Sequence, residues 1–236
     1  MAEKACHTFA FTTQVGLTQV LGGIKMVRFL LSALIFWPAI SLAQDCASDS
    51  LRHELLQRNE LDQEGRAQLM ANPESKDALE NVLRIDRENT AYMRSVLATC
   101  GWPKRSEVGE QAAKAAWRLT QHADMDPQYQ VLASQQLKWA VLSDEASARD
   151  LAVLVDRNRR LNDQPQVYGM QFARGPGSVI RFYDIVNPGH LDARRKEIGL
   201  APFYCWALQT SNSNGGAALE WPTGVLFSPQ DCSDAR

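Results

Sequence analysis

Between about residues 50 and 162, apolar positions recur three and four apart, the spacing of helices with one buried face. Five helices are predicted. The first, about 50–70, is so densely charged that it is placed on the outside. The second runs from about Ser75 to Cys100 and stops at Gly101, with Trp102-Pro103 beyond. The third starts after Ser106, a plausible N-cap, and ends near His122. The fourth runs from Pro127 to about Leu142. The fifth starts after Ser143 or Asp144 and ends near Leu161. Its apolar run LAVLV points to a central position.

Beyond residue 162 the period shortens to two. QVYGMQF (166–172) and VIRFYDIV (179–186) flank Arg174-Gly-Pro-Gly177 and predict a β-hairpin. A short helix, Leu191 to Ile198, ends at Gly199. The remainder contains APFYCWALQ and GVLF, read as a further strand or a wrapping segment. The expected class is mainly α: a bundle of about five helices, then a small β-hairpin, a short helix and an irregular disulfide-bearing tail.

The N-terminal region follows a different logic. Met26-Val27-Arg28, the apolar run FLLSALIFWPAI and Ser41-Leu42-Ala43 have the order of a secretory signal with cleavage after Ala43. The apolar run is shorter than a membrane span. Residues 1–25 are read as untranslated, with Met26 the start and 26–43 the signal. Residues 44–204 would form the helical domain and 205–236 the tail. This predicts a secreted or periplasmic protein with no transmembrane span after cleavage.

Four cysteines then remain: Cys46, Cys100, Cys205 and Cys232. An even number in an exported chain suggests disulfides. Of the three connectivities, Cys46–Cys100 with Cys205–Cys232 is favoured, because each bond staples one end of the molecule. The net charge of −2 becomes more negative once Lys4, Lys25 and Arg28 are removed. No basic face stands out, which argues against nucleic acid as a partner.

Candidate chemistry comes from polar residues on apolar stripes. His122 continues the stripe of Val108, Ala112, Ala115 and Leu119. Asp86 lies amid Leu79, Val82, Leu83, Met93 and Leu97, with Asn89 at the edge. Gln136 is flanked by Tyr129, Leu132, Ala133 and Ala140, and Asn158 by Leu151, Leu154, Val155 and Leu161. Buried polar groups cost a few kcal/mol, about 1–3, unless hydrogen-bonded. They are therefore expected to meet each other or a polar pocket, or else to serve as satisfied core polars that fix helix register. Asp126 before Pro127 is an N-cap. Asp124 is placed either to orient the imidazole of His122, or to cap the next helix or lie in solvent. Arg157, beside Asp156, is either one half of an ion pair or a guanidinium for an anionic ligand.

GWP (101–103), QHADMD (121–126), LVDR (154–157), QVYGMQ (166–171) and LDARRKEIGL (191–200), in this order, resemble a bacterial family known as domain of unknown function 6624. Asp86-x-x-Asn89 is similar to its pattern too. The likeness spans about 75–204, with Met170 where threonine is usual. It implies recurring roles for Asp86, Asn89, His122, Asp124, Asp156, Arg157, Gln166, Tyr168, Gln171 and Arg195, and implies no activity.

The expected function is an exported helical protein whose polar pocket binds, and in one form hydrolyses, a small polar or anionic ligand. His122, Asp124 and Asp86 are the catalytic candidates. Asn89, Asp156, Arg157, Gln166, Tyr168, Gln171 and Arg195 are the ligand-binding candidates. No metal or other cofactor is expected. The alternative is a non-enzymatic module for an envelope protein or other partner, with Trp102, Trp117 and Trp206 as interface aromatics and the buried polars structural.

Overall fold

A computed structural model describes residues 46–225 and Cys232. The signal segment and the proposed start lie outside the described residues. The element order is α1 (Asp49–Ala71), α2 (Lys76–Cys100), a single turn α3 (Arg105–Val108), α4 (Glu110–Gln121), α5 (Pro127–Leu142), α6 (Ala148–Leu161), β1 (Phe172–Arg174), β2 (Ile180–Phe182), α7 (Leu191–Glu197), α8 (Phe203–Ser213) and β3 (Leu219–Glu220). The fold is mainly helical, with one small three-stranded sheet.

Local chemistry explains the helix ends. Ser48, Ser75, Asp126 and Ser147 each accept a backbone N–H of the following first turn. Ser106 does not cap a helix as the sequence suggested. Its hydroxyl and N–H bond the Glu145 carboxylate instead. Gly109, at φ 81°, then separates α3 from α4. Residues 143–147 are consumed by this junction, so α6 begins later than expected.

The larger core joins α1, α2, α4, α5 and α6 through Leu55, Met93, Leu119, Leu137 and Leu154, among others. Each such side chain contributes about 1.5–3 kcal/mol by leaving water. The helix that touches most of the others is α4, not the LAVLV helix. Its buried face is mostly alanine (Ala112, Ala113, Ala115, Ala116), which lets neighbouring backbones approach closely. Leu79 and Leu132, expected to face inward, are exposed.

Past α6 the chain departs further from the period-two reading. β1 pairs antiparallel with β2, Phe172 opposite Phe182, but the first strand covers only 172–174. Residues 166–171 form an irregular loop in which Gly169 takes φ 75°. β3 adds parallel to β2. APFYCWALQ is not a strand: most of it lies in α8. Phe203, Ala207, Phe182 and Ile180 build a second core beneath the sheet.

Both favoured disulfides form. Cys46–Cys100 ties the start of α1 to the end of α2, and Cys205–Cys232 ties the tail to α8. The first closes a separation of 54 residues, worth roughly 3–5 kcal/mol in the chain-entropy account. No helix among the described residues is long and apolar enough to cross a membrane.

Candidate functional site

His122 is the residue on which α4 ends, with its backbone N–H bonded to Arg118 O. Its ring turns toward α1 and α2. On α1, Asp62 and Arg66 stand one turn apart and share a face. On α2, Asp86 points at the same place. His122 Nδ1 lies 2.9 Å from both carboxylate oxygens of Asp62. Arg66 Nε reaches Asp62 Oδ1 at 3.2 Å, and its Nη2 reaches Asp86 Oδ1 at 2.5 Å. The same Nε is 3.0 Å from His122 Nδ1. The expected meeting of His122 with Asp86 is thus present, with Arg66 between them.

Asp62 is 1 % exposed and Asp86 12 %. Burial pushes the Asp62 carboxyl up, but the hydrogen bond and charge of His122, with Gln63 and Arg66, outweigh it and hold it below the usual value. Burial lifts Asp86 above its ordinary value, and Arg66 offsets only part of that. An ionised Asp62 can only accept hydrogen bonds. Arg66 Nε donates toward the same Nδ1, a contact that needs a lone pair there, whereas the two Asp62 oxygens at 2.9 Å favour a proton on Nδ1. With the proton on Nδ1, Nε2 of a neutral ring carries the lone pair. Among the described residues, every hydrogen bond of the ring engages Nδ1.

His122 and Asp86 line a cavity of about 330 Å³ with Arg87, Thr90, Arg94 and Met125. Arg94 is held in place by two bonds to Asp126 Oδ2, at 2.9 and 2.6 Å. Arg87 has no ion-pair partner among the described residues. The ligand atoms of Asp62, Asp86 and His122 lie within 4.8 Å of one another, close enough to hold a metal ion. Here the Arg66 guanidinium touches all three and supplies the positive charge itself.

The other expected residues fall elsewhere. Asp124 does not orient the imidazole. It takes a two-pronged pair from Arg157, at 3.0 and 2.5 Å, and a bond from Gln130. Arg157 is accordingly committed to a protein carboxylate. Asp126 caps α5 through Tyr129 N. Asn158 bonds Gln130 Oε1 and Pro127 O. Asn89 lines a different cavity, with Arg58.

A second polar cluster supports the 166–171 loop. Asp156, fully buried, accepts the backbone N–H groups of Val167, Tyr168 and Met170. Gln166 bonds Gln171 N, Gln171 O and Tyr183 O through its side-chain amide. Arg195 donates to Tyr168 O and Ala201 O. Burial lowers its pKa to about 10, although Asp192 and Asp156 oppose the shift. These side chains bond the backbone that carries Tyr168 and Gln171.

Asp62 and Arg66 were not anticipated, because the first helix was read as external. Leu51, Leu55 and Asp62 fall four and seven residues apart on its buried side, a spacing that exposes the signal in retrospect.

The fold and site together define a disulfide-stapled helical domain with an Asp–His pair beside a cavity. Its sequence matches the model of the family of unknown function DUF6624 over residues 49–213, and the chain belongs to that family. The match takes in α1, and so includes Asp62 and Arg66. No curated protein and no solved structure matches the chain.

Proposed function

We propose that the cavity beside His122 binds a small anionic ligand and that His122 hydrolyses an ester or phosphoester bond in it. The observation that carries this is the Asp62–His122 pair, a buried carboxylate on Nδ1 with Nε2 left as a base. In the proposed step Nε2 takes a proton from water as its oxygen attacks. The bond to the leaving oxygen breaks, and the imidazolium returns the proton to that oxygen. Arg66 holds Asp62 and Asp86 in place, and Arg87 and Arg94 at the cavity supply positive charge for the ligand. The signal-like segment 26–43 and the two disulfides support export to an oxidising compartment.

Screening the disulfide-bonded protein against small ester and phosphoester substrates tests the assignment. His122→Ala should lower turnover by roughly 10²-fold or more while the melting temperature changes by only a few degrees. Turnover that survives His122→Ala unchanged in a folded protein rules the assignment out.

One observation favours the alternative of a docking module. Val131, Leu132, Trp139 and Leu142 leave an exposed apolar strip on α5, with Trp139 72 % exposed. The tryptophans first considered for this role are engaged elsewhere. Trp102 is in the core, and the indole N–H groups of Trp117 and Trp206 bond Asp150 O and Gly169 O. Charging the strip with Trp139→Glu should leave the hydrolysis above untouched. Loss of turnover in that variant would tie the two roles together and count against a separate cavity site.

A further inference from the structure

The α1–α2 seam has a second cavity, of about 390 Å³. On α1 it is lined by residues such as Gln57, Leu61 and Gln68, about a third of a turn from the face that carries Asp62 and Arg66. It is therefore a separate site from the one beside His122.

Its floor holds one buried donor without a partner. Asn89 is 4 % exposed. Its Oδ1 accepts from Arg58 Nη1 at 3.3 Å, but its Nδ2 has no hydrogen-bond partner among the described residues. Arg58 Nε is ion-paired with Glu54 Oε1 at 2.8 Å, and its guanidinium lies over the Tyr92 ring, so Asn89 Nδ2 is the donor without a partner. An unpaired buried donor costs about 1–3 kcal/mol, so Asn89 Nδ2 calls for an acceptor from outside the protein.

The walls narrow the chemistry of that acceptor. Glu54, Glu64 and Glu88 outnumber Arg58 and Arg84 among the lining charges, which disfavours an anion. A cation would meet the donor end of the Asn89 amide and the Arg58 guanidinium. Around the floor stand the side-chain amides of Gln57, Gln68 and Asn81, which both donate and accept. Leu61 and Ile85 add an apolar patch. A neutral ligand with one strong acceptor, several hydroxyls and an apolar ring face satisfies all of these at once. The volume lies in the range of small-ligand pockets, about 300–1,000 Å³.

We propose that this groove is a saccharide-binding site, with a carbonyl or hydroxyl oxygen of a neutral sugar seated on Asn89 Nδ2. The occupant best matched to the floor is an N-acetylated sugar. Its amide carbonyl is a strong neutral acceptor, and its methyl group can lie on Ile85.

The test is a titration of isotopically labelled, disulfide-bonded protein with the disaccharide of N-acetylglucosamine, followed by NMR. The side-chain amide signals of Asn89 should shift saturably in the millimolar range, while the ring signals of His122 stay in place. Gln57→Trp fills the groove from an exposed position that makes no side-chain hydrogen bond among the described residues. It should weaken binding at least tenfold without harming the fold. Asn89→Leu should do the same, since it replaces the donor by an apolar side chain of similar size, about 1.4 kcal/mol for the tenfold loss. No Asn89 shift at saturating sugar, or equal affinity in the folded Gln57→Trp variant, overturns the proposal. So does a stronger response to a capped tri-alanine peptide, which would make the groove a peptide site.

Discussion

Two buried polar clusters in this molecule contain a carboxylate beside a cationic side chain, and they spend their hydrogen bonds differently. In the Asp62–Arg66–Asp86–His122 cluster, side chains bond one another, and a ring nitrogen is left over beside a cavity. In the Asp156–Gln166–Arg195 cluster, the bonds run to backbone, and they fix the path of residues 166–171. Both satisfy the rule that buried polar groups find partners. Only the first includes a ring nitrogen without a hydrogen bond, on a residue that lines a cavity. On the proposed reading, that unspent atom is what separates a site from a structural cluster.

The comparison can be broken first at Asp156. Asp156→Ala leaves three backbone N–H groups unpaired in a closed interior, which should cost about 3–5 kcal/mol. For a domain of this size the melting temperature should fall by roughly 10 °C or more, read by calorimetry. A fall no larger than that of a surface substitution would mean that the loop does not depend on this carboxylate.

Gly169→Ala probes the same loop through its backbone. The position has φ 75°, and an added Cβ would lie 2.7 Å from the Phe203 ring. A cost of about 2–3 kcal/mol is expected. Loss of the Trp206 bond to Gly169 O should accompany it as a change in tryptophan fluorescence.

The smallest expected effect sharpens the first cluster. The folded pKa of Asp62 lies below the ordinary value, about 3.9 unfolded. Its ionised form therefore favours the fold. That contribution is complete above about pH 5 and is lost as pH falls through the depressed folded value. The gap in melting temperature between the protein and Asp62→Asn should be widest near neutrality and should close in acid. A gap independent of pH would mean that Asp62 is not ionised in the fold.

Much of the helical frame was legible in the sequence, because stop and start chemistry is local. Gly101 after Cys100 and Asp126-Pro127 mark real ends. His122 and Asp86 were found because they interrupt apolar stripes. Asp62 was hidden by charged neighbours, since a helix with few apolar residues hides which face is inward. The 166–171 segment alternates like a strand, yet Asp156, ten residues upstream of it, claims the N–H groups that a partner strand would need. Phe203, Cys205 and Ala207 alternate as well, whereas Phe203, Ala207 and Thr210 also fit a helix. That short run satisfies both periods, and packing beneath the sheet decides between them.

The central claim concerns one proton. Long-range ¹⁵N–¹H NMR of the histidine rings near neutral pH reads directly which nitrogen of His122 bears it. For the neutral ring the account predicts the proton on Nδ1, with Nε2 showing the shift of a bare nitrogen, and loss of that preference in Asp62→Asn. A neutral ring protonated on Nε2 would contradict it, since Nδ1 would then hold the lone pair and accept from Arg66 Nε, and no base would be left for the cavity.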